Sequence, residues 1–126
     1  MKTLILFMSL FITSVDFNLS HIKIAENIEK KFLTLEESET EYIISAVYDV
    51  AKNKKVESVL NDYLKQGDDP SFRNTKLDAD LTLSDKTNFY IKFHPGRLLI
   101  KFNKQKNTSK ALFKFKEVGR ELKRFL

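Results

Sequence analysis

The sequence predicts an α+β domain in two layers: two or three N-terminal helices, a three-stranded antiparallel meander, and a C-terminal amphipathic helix packed on the sheet. Three observations predict it. Apolar residues alternate strictly on both sides of the Pro95–Gly96 pair, as strands with one buried face require. A stripe at spacings of four and three runs from Ala111 to Phe125, as an amphipathic helix requires. Two Ser/Thr-x-x-Glu signatures stand ahead of an apolar series at helical spacing between Ile43 and Ala51.

In chain order, Met1 to Ser14 reads as a secretory signal peptide: Lys2, an apolar core of about ten residues from Leu4 to Ile12, and small polar residues after it. That core is half of the roughly 20 residues a membrane-spanning helix needs. No transmembrane span is expected, and residues 15–126 are expected to form a single domain. Ile24, Ala25, Ile28 and Phe32 predict a first helix between Ser20 and Leu33. A second helix is expected to start at the capping box Thr34 to Glu37 or at Ser38 to Glu41, with Ile43, Ala46, Val47, Val50 and Ala51 on its apolar face. Glu36, Glu37, Glu39 and Glu41 then crowd its start and Lys52, Lys54 and Lys55 its end, the arrangement a helix dipole favours. Past Asn53, residues Val56, Val59, Leu60, Tyr63 and Leu64 predict a third helix or a continuation, stopped at Gly67.

The meander runs from Leu77 to Asn103. Pairing Phe93 with Leu98, Ile91 with Ile100 and Phe89 with Phe102 puts every large apolar residue except Tyr90 and Leu99 on one face, and a slip of one residue would scatter them. The Pro-Gly pair suits a type II turn, whose twist is wrong for a tight hairpin. A looser four-residue loop is therefore expected. A five-residue loop from Ser84 to Asn88 would set Leu83 opposite Phe89, Leu81 opposite Ile91 and Asp80 opposite Lys92. The other face then carries Asp78, Asp80, Tyr90, Lys92, His94, Arg97 and Lys101. The last helix is expected from about Ser109 onward, with Lys110, Lys114 and Lys116 in its first two turns, where the dipole disfavours cations.

Composition narrows the function classes. The chain has 126 residues and no cysteine, so disulfides, thiolate metal sites and cysteine nucleophiles are excluded. No phosphate-binding glycine loop, paired metal-ligating histidines or nucleophile elbow occurs, and neither a cofactor nor a metal is expected. Asp78 and Asp80 share a strand face, which opposite lysine pairing explains without a cation. The sequons at Asn18 and Asn107 are pattern matches alone. Residues 1–88 hold 11 Lys and Arg against 15 Asp and Glu, whereas residues 89–126 hold 11 against 2. That asymmetry bears on partners.

These features point to a small exported, periplasmic or secreted, non-enzymatic binding module. Its basic face, made of Lys92, Arg97, Lys101, Lys104, Lys106 and Lys114, would meet an anionic macromolecule: an acidic protein, an envelope polymer or a lipid headgroup. The rival reading is a cytosolic nucleic-acid binder, because three helices ahead of a basic hairpin is the element order of a winged helix, with Lys54 to Lys65 as its recognition helix. That helix is nearly neutral, which weighs against it. A carboxylate-based enzyme ranks third.

Overall fold

A computed structural model describes residues 30–126, and the signal peptide read at 1–14 and residues 20–29 of the helix read from Ser20 to Leu33 lie outside the described residues. Lys31–Leu126 makes one compact unit. Its strands are β1 (Phe32–Glu37), β2 (Glu41–Val47), β3 (Leu77–Thr82), β4 (Asn88–His94) and β5 (Arg97–Asn103), and its helices are α1 (Asn53–Leu64) and α2 (Ser109–Phe125). The strands form one sheet in the order β1-β2-β5-β4-β3, every neighbouring pair antiparallel.

The sheet thus has five strands rather than three, and among the described residues no helix precedes it. Phe32 to Val47, read as the end of one helix and most of a second, is a β-hairpin. The apolar series from Ile43 to Ala51 fits two periods, and the strand period buries Tyr42, Ile44 and Ala46 instead. Tyr42, Ile43, Ile44 and Val47 are aromatic or β-branched, which favours the pleated alternative. The capping-box signature misleads for a chemical reason. The Ser38 hydroxyl accepts from the backbone N–H of Glu41 at 3.1 Å and of Thr40 at 3.2 Å, the same local bonds a helix N-cap makes. Here they close the β1–β2 turn, together with Ser38 N–H to Glu41 C=O at 2.9 Å.

The element order of a winged helix is consequently absent from the described residues. A 3-10 turn at Val50–Lys52, capped by Asp49, runs into α1 without a side-chain cap at Lys52. Helix α1 buries Val56, Val59, Leu60 and Leu64 in the core. It ends at Leu64, three residues ahead of Gly67, because Lys65 already turns to extended backbone at ψ 131°; the φ of +50° at Gly67 serves the Gln66–Asp69 turn instead. The loop that follows is tied back by Asn61, whose side-chain oxygen accepts from Phe72 N–H at 2.8 Å.

The β4–β5 pairing is the expected one throughout. The turn is tighter than expected, with His94 and Arg97 paired and only Pro95 and Gly96 between them. Gly96 has φ +88°, as the third position of a type II turn needs. Its carbonyl accepts the N–H of Tyr48 at 2.9 Å, so a tertiary bond holds the turn that twist alone disfavours. The β3–β4 pairing differs by two residues from expectation: Leu81 faces Phe89, Ala79 faces Ile91 and Asp78 faces Lys92. A shift of two keeps every side chain on its face. It arises because Leu83 leaves the strand to be buried, so the loop covers Leu83 to Thr87.

Helix α2 occupies the expected span and buries Ala111, Phe115, Val118 and Leu122. Phe115 lies between Phe89 and Phe102, with ring centroids 4.9 and 4.7 Å away. The two helices share one core with the inner faces of β2, β4 and β5, giving the two layers. The outer sheet face carries most of the polar strand residues, with Phe32, Ile43, Val47 and Leu99 among them.

Candidate functional site

The six cations assigned to one basic face divide into two groups. Lys92, Arg97 and Lys101 stand on the outer face of the sheet, on the adjacent central strands β4 and β5. The register sets Lys92 opposite Leu99 and Lys101 opposite Tyr90, so the three cations surround Leu99. Lys104, Lys106 and Lys114 belong to the β5–α2 turn and to α2 itself, and the fold uses two of them.

Lys104 Nζ donates to the Ser38 carbonyl at 2.6 Å and pairs with Glu37 at 2.6 Å. Lys116 reaches the other oxygen of the same carboxylate at 2.9 Å. The two lysines hold the Glu37 carboxyl below its ordinary range, Lys104 contributing most. Lys114 pairs with Asp85 at 3.2 Å. Lys114 and Lys116, cations that oppose the dipole of α2, therefore have an internal role: they fasten the helix to the β3–β4 loop and to the β1–β2 turn. Lys106 stays exposed in its turn. Asn107 of the second sequon donates its side-chain N–H2 to the Asn88 and Asn103 carbonyls, both at 2.8 Å, so the atom a glycan would need is engaged in the fold.

On the outer face, alternation along β4 and β5 places each cation, because Phe89, Ile91, Phe93, Leu98, Ile100 and Phe102 fill the inner one. Asp78 lies opposite Lys92, yet its carboxylate takes the Tyr90 hydroxyl at 2.5 Å. That hydrogen bond raises the Tyr90 pKa, with burial and the charges of Asp78 and Asp80 adding to it. Lys92 and Lys101 have no carboxylate partner among the described residues. A shallow recess of about 380 Å³ opens beside them, lined by Phe32, Val47, Lys92, His94, Arg97 and Leu99. Phe32 is 44% exposed at its rim. Acids flank the cations, Asp78 and Asp80 on β3 and Glu36 on β1.

A second polar constellation went unnoticed in the sequence. Tyr48, Asn53 and Glu57 are all buried. The Tyr48 hydroxyl donates to Asn53 Oδ1 at 2.6 Å. Glu57 Oε2 accepts from the Asn53 amide at 3.4 Å and from the Asn74 N–H at 2.9 Å. Burial pushes the Tyr48 phenol far up, and the negative charge of Glu57 pushes it further. Its sequence signal is an acid inside the apolar stripe of α1, between Val56 and Leu60.

Among the described residues no three His, Asp or Glu side chains gather as a metal-ligand set, and no helix is long and apolar enough to cross a membrane. The chain matches no family model, and no curated protein or solved structure matches it.

Proposed function

We propose that the protein is an exported, non-enzymatic binding module that takes an anionic macromolecule on the outer face of its sheet. The contacts are Lys92 and Lys101, with Arg97 beside them. The observation that carries this reading is that Lys92 and Lys101 flank Leu99 on the solvent side with no carboxylate partner among the described residues. Lys104, Lys114 and Lys116, by contrast, are paired within the fold. Arg97 and Lys101 are four residues apart on one strand, about 13 Å, with Lys92 alongside between them. A linear run of carboxylates or phosphates lying along the strands would meet both lysines, and the flanking acids on β1 and β3 would repel it from other registers. An acidic protein, an envelope polymer or a lipid headgroup outside the cytosol answers that description.

Replacing both lysines, Lys92→Gln with Lys101→Gln, is expected to abolish retention on a phosphate-bearing resin at low salt while leaving the melting temperature within a few degrees. Exposed charges that pair with nothing contribute little to stability. Undiminished retention would remove the outer face from consideration. Export is checked separately by intact mass: a protein shortened by about fourteen residues and recovered outside the cytosol supports it, and a full-length cytosolic protein sinks it.

A further inference from the structure

A cleft of about 420 Å³ lies between the start of α1, the 74–76 loop and the β4–β5 turn, away from the outer sheet face. Its lining includes Val50, Lys54, Glu57, Asn74, Lys76 and Pro95. Glu57 is 5% exposed. One oxygen of its carboxylate serves the fold by accepting from Asn53 and Asn74. The other has no partner among the described residues.

Both donors to Glu57 are neutral, and a glutamine oxygen would accept from them equally well. A buried carboxylate without a cation is the costlier choice, so the charge calls for a counterion that the fold does not supply. Lys54 and Lys76 line the same cleft, yet neither is ion-paired with any carboxylate among the described residues. Two lysines at the rim would repel a simple cation and attract a carboxylate. Val50, 61% exposed, adds an apolar wall that covers nothing of the core.

We propose that this cleft binds a small zwitterion with neighbouring ammonium and carboxylate groups, an α-amino acid in the simplest case. The ammonium goes to the open oxygen of Glu57, the carboxylate to Lys54 and Lys76, and the side chain to Val50 and Pro95. The cleft falls in the size range of small-molecule sites.

The test is a titration of the full-length protein with L-valine, ethylammonium and propionate, followed by amide NMR shifts. L-valine is expected to move the amide signals of Glu57, Asn74 and Thr75 saturably at roughly millimolar concentration, with ethylammonium and propionate each weaker. Glu57→Gln is expected to lower the L-valine affinity about tenfold or more, and Lys54→Gln with Lys76→Gln to lower it similarly. No saturable shift in the wild-type protein overturns the proposal, as does equal affinity in Glu57→Gln. If Glu57→Gln fails to fold, the lysine pair decides: unchanged L-valine affinity in that variant overturns it.

Discussion

Asp85 shows how a single side chain in this protein carries several duties. Its carboxylate accepts from the Thr87 N–H at 3.0 Å, from Gln66 at 3.0 Å and from Lys114 at 3.2 Å. Partial burial works to raise its pKa, but the Thr87 and Lys114 contacts outweigh it and bring it from an ordinary 3.8 down to about 2. A carboxyl whose folded pKa is depressed adds stability above its unfolded pKa and loses it as pH falls through the folded one. Asp85→Ala is therefore expected to cost about 1 kcal/mol at neutral pH. Thermal melts of the two proteins should draw together as pH falls from about 4 to about 2; a gap that persists at low pH would mean Asp85 acts by packing alone. Of these bonds only the local one to Thr87, two residues on, belongs to the sequence pattern; Gln66 and Lys114 are brought to Asp85 only by the tertiary fold. Glu57 was half legible: an acid inside an apolar stripe is visible in the sequence, but its partner Asn74 lies 17 residues away in a loop.

At the scale of elements, the sequence was most legible where one period only was available. The alternation from Phe89 to Phe102 admits no helical reading, and its register is the one observed. The Ala111 to Phe125 stripe admits no strand reading, and it is α2. Residues 43–51 satisfied both periods, and the Ser38 turn makes a helix cap's bonds without a helix, so β1 and β2 were misread together. The contact between α2 and that hairpin depends on a missing side chain. A Cβ at Gly119 would lie 2.6 Å from the Tyr42 hydroxyl and 3.0 Å from a Leu35 methyl. Alanine there gains up to about 1 kcal/mol of helix propensity, yet forcing a methyl against a buried tyrosine costs about 1 to 3 kcal/mol. Gly119→Ala is expected to lower the denaturation midpoint, and an unchanged or raised midpoint would show that β1 gives way freely.

Taken whole, Lys31–Leu126 is one sheet covered on one side by two helices, and the α+β class follows from composition and period alone. The strand count does not, because a strand is recognised by its neighbours as much as by its own pattern, and β2 finds its second neighbour, β5, some fifty residues later. The sheet order also leaves two strands, β1 and β3, with one side unpaired among the described residues. An unpaired strand is a template for a second molecule. If β3 of two copies met antiparallel about Ala79, Asp78 of each would face Asp80 of the other, four like charges in two opposed pairs. Asp78 and Asp80, read first as mere partners for lysine, would thus disfavour a second copy adding to the sheet at β3. Removing those charges, with Asp78→Asn and Asp80→Asn, is expected to raise the light scattering of a concentrated solution, and scattering equal to the wild type would assign those acids no such duty.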